Sequence, residues 1–362
     1  MSKKKTEKRK EMNKKLFEKL KDKVTNSGEV CDNLDEARWV FGEEEDKQWL
    51  QNAVLEDLFE FQPYKRAAIY SFENKFYFIS IGIMDKPDNM PEFMDIFELN
   101  SGLFVSIVAD KDLNVQVRNN IKANDIIQKV LCIYKGFEDY GGHYLSVLRD
   151  FFEPIDVYEL KGDCLFNKDD LVRMLGCYIC LTDSLVYLPF SDTVVGKYSS
   201  IFCFGHNSIP FENLLFSLCS INYKFAFLDL YRCIEMLYTI YYMDRINNII
   251  TSITKLEINT LEVASTIQKE LLWKYNETNA INSIFESLPP TLIYILQQEK
   301  NRHPKQANIK MGEWIYGIRC TIVHHRINQD KEILNDLKWD EIINGMLDII
   351  TYLYDKYSLM MF

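Results

Sequence analysis

The order of apolar and polar positions divides the chain into a mixed first part and a helical second part. Residues 66–72, 75–84 and 102–110 are short runs rich in β-branched and aromatic side chains, separated by turn-formers such as Glu73-Asn74 and Asn100-Ser101. They are predicted as strands, the first two as a hairpin, with further strands over 156–160 and 198–204. Helical spacing occupies the second half of 35–61, where Trp39, Trp49, Ala53, Val54, Leu55, Leu58 and Phe59 lead to Pro63, and returns over 123–134 and 169–187. Beyond Pro210 strand signals stop, and helices are predicted over 211–244, 260–274, 280–298, 311–323 and 340–357. The last places Ile342, Ile343, Met346, Leu347, Ile349, Ile350, Leu353 and Tyr357 on one broad face, as an antiparallel bundle helix requires. The predicted fold class is α+β. A basic amino-terminal arm over 1–30 precedes a mixed α/β module over 31–208, which is followed by an all-α helical bundle over 209–362.

Composition narrows the class. At 362 residues the chain exceeds what one core usually serves, and 47% hydrophobic with 26% charged residues is the balance of a folded protein, not a disordered or fibrous one. The nine cysteines are odd in number and scattered among apolar neighbours, which suits free thiols in a reducing cytosol. Cys177-x-x-Cys180 sits on an apolar helix face with no second pair at ligand spacing, so packing is expected there, with no metal and no cofactor. Gly141-Gly142-His143 reads as a loop. No apolar stretch of about 18 residues or more appears, and no apolar segment follows the lysine-rich start, so a cytoplasmic protein without membrane contact is expected.

Charge then localises any chemistry. A net charge of −11 opposes general affinity for nucleic acid, which rests on phosphate neutralisation, so an RNA-handling surface must be local. Two segments reverse the sign. Residues 3–23 carry eleven Lys and Arg against four acids, which suits either an RNA-attracting arm or a solvated helix. Residues 300–326 hold three of the five histidines (His303, His324 and His325) with Lys300, Arg302, Lys305, Lys310, Arg319 and Arg326 against a single acid, Glu313.

Within the second segment, Gly317-Ile-Arg319-Cys-Thr-Ile-Val-His324-His325-Arg326 places an arginine and a histidine with four residues between them at the carboxy-terminal end of a predicted helix. An earlier helix reads Phe225-Ala-Phe-Leu-Asp229-Leu-Tyr-Arg232-Cys-Ile-Glu235-Met-Leu-Tyr238. Together these resemble the R-x4-6-H motif and the opening helix of the HEPN superfamily, over about 150 residues. Two positions depart from the family pattern. Cys320 stands where Asn is frequent, and Arg326 where the toxin branch carries a modifiable Tyr.

The resemblance implies a metal-independent endoribonuclease of antiphage-defence, abortive-infection or toxin type, cleaving RNA such as tRNA to 2′,3′-cyclic phosphate and 5′-hydroxyl ends. Arg319 and His324 would be catalytic. The residue types suit that chemistry, since an imidazole can move a proton at a ribose hydroxyl or a leaving oxygen and a guanidinium can hold the charge that builds on phosphate. Cys320, His325, Asp229, Arg232 and Glu235 are supporting candidates, the last three either orienting Arg319 and His324 or forming a salt-bridge ladder of their own. Arg326, Lys310 and Arg302 are candidate RNA contacts.

On an unbroken helix Arg319 and His324 would stand about 140° apart and about 7.5 Å along the axis. Either the helix ends near Val323 and His324 swings round, or two copies of the motif share a cleft in a C2 homodimer, which the resemblance implies. The expected partners are thus RNA, a second copy and a phage or host trigger at the amino-terminal module. The alternative is a non-catalytic HEPN-like module that binds a nucleotide, RNA or protein, with the same two residues as phosphate contacts. A plainer account makes them a cationic cluster at the negative end of a helix dipole.

Overall fold

The structure, a computed structural model, describes residues 2–84, 86–87, 89–162, 166, 169–182, 185–238, 277–324 and 331–358. The chain divides into two compact units, Met1–Thr182 and Asp183–Phe362.

The first unit is mixed α/β with one antiparallel sheet. Its elements are α1 (Ser2–Asn26), α2 (Glu44–Asn52), β1 (Val54–Gln62), β2 (Lys65–Phe72), β3 (Lys75–Ile81), β4 (Met94–Phe97), α3 (Ser101–Ala109), α4 (Ala123–Ile126), α5 (Leu145–Leu148), β5 (Ile155–Leu160) and α6 (Leu171–Cys180). Strand order is β1-β2-β3-β5-β4. The predicted hairpin is present, with Phe72 opposite Lys75. Glu73 and Asn74 both take positive φ, 49° and 64°, as a two-residue turn matched to strand twist requires. Gly82 has φ +78°, and a Cβ there would lie 1.9 Å from the Tyr64 carbonyl oxygen, so only glycine fits where β3 leaves the sheet.

The central strands are covered on both faces, which explains their near-continuous apolar runs. Ala68, Tyr70, Tyr77, Ile79 and Ile81 join a core with Leu16, Phe17, Leu20 and Val24 of α1 and Leu103, Phe104 and Ile107 of α3. On the other face α6 packs on β1 and β2. There the Tyr158 and Tyr178 hydroxyls meet at 3.2 Å, and their rings cluster with Phe78. A buried ion pair ties the sheet to its surroundings. Arg66 donates to Glu153 and to the carbonyls of Leu113 and Asn114, and Glu153 also accepts from the Gln116 amide.

Several expectations are corrected. The run predicted as a strand over 102–110 is helical as far as Ala109: Asn100 caps α3 by accepting from the Leu103 amide at 2.8 Å, and every residue from Gly102 to Ala109 is buried. Burial on all sides removes the alternation that separates helix from strand. The predicted helix ending near Phe61 stops at Asn52, and Val54–Gln62 is an edge strand. The basic segment is no free arm, because α1 continues to Asn26 and buries Leu16, Phe17, Leu20 and Val24 in the core, and Lys19 donates to the Val115 carbonyl at 2.7 Å. Cys177 is buried and both thiols of the Cys177/Cys180 pair are free of disulfide.

In the second unit all regular structure among the described residues is helical. It comprises α7 (Asp192–Phe204), α8 (Phe211–Leu218), α9 (Tyr223–Glu235), α10 (Glu277–Glu286), α11 (Tyr294–Asn301), α12 (Met311–Val323), α13 (Lys331–Asp336) and α14 (Trp339–Lys356). The strand expected over 198–204 lies within α7, whose amino end is capped by the Ser191 hydroxyl and whose Tyr198 hydroxyl bonds that of Ser217 at 2.6 Å. The helix predicted over 260–274 lies outside the described residues. Ile342, Ile343, Met346, Leu347, Ile349, Ile350 and Leu353 are all buried on α14, as their spacing foretold, against α7, α9 and α11. No helix among the described residues is long and apolar enough to cross a membrane.

Candidate functional site

α12 carries the Arg-x4-His motif, and its position is set at its start. Gly312 lies so close to the backbone of α10 that a Cβ would come within 2.6 Å of the Asn282 Cα. The Asn282 side chain accepts from the Glu313 amide at 2.7 Å, capping α12 from the neighbouring helix. Trp314, Ile315 and Ile318 are buried, which orients the remaining faces.

The helix ends at Val323. His324 takes extended backbone angles, φ −105° and ψ 96°, while its amide still donates to the Cys320 carbonyl at 2.8 Å. The chain turns away after His324, whose amide bond keeps its own Cα in the last helical turn, so Arg319 and His324 stay on different sides of the helix axis. His324 is exposed, and among the described residues its side chain makes no hydrogen bond or ion pair.

Arg319 lies in a pocket of protein groups. Its side chain is 21% exposed, 3.9 Å from Glu235 Oε1, with the guanidinium carbon 6.0 Å from the centre of the Tyr231 ring. Burial lowers its pKa, but a hydrogen bond with Cys320 and the charges of Glu277 and Glu235 together outweigh that and raise it. It is a permanent cation. At 3.9 Å the contact with Glu235 is an ion pair without a direct hydrogen bond, so among the described residues donor capacity is left over.

Three of the residues around it escaped the sequence reading: Tyr231, Glu277 and Tyr316. Tyr231 precedes Glu235 by one helical turn and its hydroxyl meets that of Tyr238 at 2.6 Å. Tyr316 precedes Arg319 by three residues, and its hydroxyl is pushed up to about 12 by a hydrogen bond with Cys320, burial and Glu277. The helical offsets were a usable signal for these two tyrosines. Glu277, at the start of α10, had none.

The other candidates distribute unevenly. Cys320 and Glu235 join Arg319, whereas Asp229 and Arg232 form their own i, i+3 ion pair at 2.6 Å on α9. Burial raises the Asp229 pKa despite Arg232 and a hydrogen bond with Asn213. Arg302 makes two hydrogen bonds to Glu299, at 2.9 and 2.7 Å, and Glu299 also accepts from the Lys338 amide. His303 lies 3.4 Å from the same carboxylate, and Lys310 pairs with Glu286 at 2.7 Å. Two of the three candidate RNA contacts thus already hold carboxylates. His325 and Arg326 lie outside the described residues.

The chain matches no protein-family model, no curated protein and no solved structure.

Proposed function

We propose that the chain is a metal-independent endoribonuclease whose helical unit is HEPN-like, with Arg319 and His324 as its catalytic pair. The observation that carries this is the end of α12 at Val323, which leaves an exposed histidine on extended backbone one residue past a helix that holds a cation with donors left over among the described residues. Arg319 would stabilise charge on the scissile phosphate. His324 would take a proton from the 2′-hydroxyl or deliver one to the leaving 5′-oxygen, giving a 2′,3′-cyclic phosphate. Val323, an apolar side chain left 48% exposed beside the motif, is consistent with a C2 dimer in which two such ends complete one cleft. The resemblance carries the setting, antiphage defence in the cytoplasm.

The test is incubation of the full chain with total tRNA and a single-stranded RNA in EDTA, beside Arg319→Ala and His324→Ala, with end-group analysis. Cleavage by wild type alone, with cyclic phosphate ends, supports the proposal. Cleavage untouched by both changes removes this site.

A second function draws on the carboxylates of Glu235 and Glu277 around Arg319, which compete with phosphate for the guanidinium. They favour a non-catalytic module that binds a nucleotide, RNA or protein. It predicts RNA retention without bond cleavage in the same assay.

A further inference from the structure

The first unit contains a cleft of about 780 Å³ between α1, the segment 35–47 and the start of α3. That volume is within the range of small-molecule sites. Its lining is strongly cationic for so acidic a protein. Lys14 and Lys47 are paired, with Glu18 at 3.6 Å and Glu44 at 2.6 Å. Arg9, Lys10, Lys21, Arg38 and Lys135 also line it, and form no ion pair among the described residues. Of the three acids in the wall, Asp46 is occupied in accepting from the amides of Glu43 and Gly102, while Asp35 and Glu36 are exposed.

Arg38 is the decisive residue. It is only 7% exposed, and its Nη atoms donate to the carbonyls of Asn33, Leu34, Glu36 and Leu131, all neutral acceptors. Its Nε is buried without a hydrogen-bond partner among the described residues. A full positive charge is therefore held at the cleft wall with no carboxylate in ion-pair contact among the described residues, the exposed Glu36 acting on it only through its more distant charge, and an arriving anion would stabilise it. Lys21 shares that field: burial lowers its pKa first and the charge of Arg38 lowers it further, against the opposing charges of Asp35 and Glu18.

The cleft also presents aromatic surface on a fixed frame. Trp39 and Phe41 line it, and Phe41 is 42% exposed. Their backbone is pinned from three sides. Asn13 Oδ1 accepts from the Val40 amide at 2.8 Å, His143 exchanges amide and carbonyl bonds with Trp39 and Phe41, and the Trp39 indole donates to the Gly141 carbonyl at 2.9 Å. Gly142, at φ +118°, permits the close approach, since a Cβ there would meet Trp39 at 2.8 Å. His143 behind this frame packs its ring on Phe17 at 5.3 Å.

We infer that this cleft binds a nucleoside phosphate, with the phosphates beside Arg38, Lys21 and Arg9 and the base against Phe41 and Trp39. The combination of a charge centre and an aromatic surface in one bounded cavity distinguishes this ligand from a bare anion or an apolar molecule. The inference is independent of the ribonuclease proposal, and neither cleavage nor its absence bears on it.

The experiment titrates the full chain with ATP, AMP, adenosine and pyrophosphate at low salt, following calorimetric heat and tryptophan emission. Saturable binding of ATP, stronger than that of AMP, adenosine or pyrophosphate, is expected. An Arg9→Glu/Lys135→Glu double variant, changing side chains that form no ion pair or hydrogen bond among the described residues, should weaken ATP binding by about tenfold or more. Phe41→Ala should weaken it by about tenfold through lost stacking. Four outcomes overturn the inference: no saturation by ATP in the millimolar range, equal affinity in wild type and the charge-reversed variant, pyrophosphate binding as well as ATP, or retention of single-stranded RNA with no mononucleotide binding.

Discussion

Two arginines, one in each unit, show how the neighbours of a fixed charge decide what it can attract. Arg38 is almost wholly buried and bonded only to neutral carbonyls, so its charge remains open to an anion. Arg319 is somewhat more exposed but stands between the carboxylates of Glu235 and Glu277. A third, Arg66, has its charge closed by Glu153. The same guanidinium thus serves as an unbalanced attractor, a partly balanced one and a purely structural tie. Coulomb attraction within a few ångströms of low-dielectric surroundings separates these cases, and residue type alone does not.

The largest effect expected concerns Arg319. If it and His324 act on the scissile phosphate, Arg319→Ala and His324→Ala each lower the cleavage rate by about 10³-fold, measured as single-turnover kcat on a defined RNA. An effect below about tenfold would align Arg319 with the structural arginine. Next, Arg66→Met leaves Glu153 buried without its cation and should cost about 4 kcal/mol in denaturant unfolding. Arg38→Met strands only carbonyls and also removes an unbalanced charge, so its cost should be about half as large. Equal losses would show that Arg38 has an anionic partner after all.

A pH experiment sharpens the picture of the frame behind Arg38. Burial holds the His143 pKa down at about 4, against a bond to the Ile133 backbone that raises it and with Arg38 lowering it further. The unfolded chain takes up a proton near pH 6.5 that the folded chain refuses until about pH 4. His143 therefore subtracts no stability above pH 6.5, and stability falls as the pH drops from there toward 4, by about 3 kcal/mol. His143→Phe should flatten that interval of the unfolding curve. The smallest effect is at Glu235, where Glu235→Gln relaxes a 3.9 Å pair and should change cleavage or RNA affinity by about threefold, upward if the carboxylate competes with phosphate.

The motif helix was the most legible part of the molecule. Its predicted span, 311–323, is its observed span, because an apolar stripe at Trp314, Ile315 and Ile318 faces the core while Gly317 and Arg319 leave it. The surroundings of Arg319 were legible only in part. Glu235 was in view because it shares a face with Asp229 and Arg232, but it joins Arg319 while those two pair with each other. Glu277 comes from a different helix, more than forty residues away in sequence, and no local pattern connects it to Arg319. The cleft of the first unit was less legible still. Its cations come from α1, from Lys47 of α2 and from isolated positions at Arg38 and Lys135, and the lysine-rich start offered a solvated helix or a free arm where one helix face closes a cavity.

What the sequence determined by itself are the features set by neighbours along the chain. They are the β2–β3 hairpin with its Glu73-Asn74 turn, the buried stripe of α14, the bounds of α12 and the local reversals of charge. Tertiary structure decided the rest. Residues 102–109 became a helix because a segment buried on every side carries no periodic signal, and Asn100 capping and packing on α2 then settle its form. Residues 54–62 became a strand because β2 offers them a full ladder of backbone partners. The charge state of each arginine's surroundings was decided in the same way, since burial and the approach of distant carboxylates are properties of the folded chain alone.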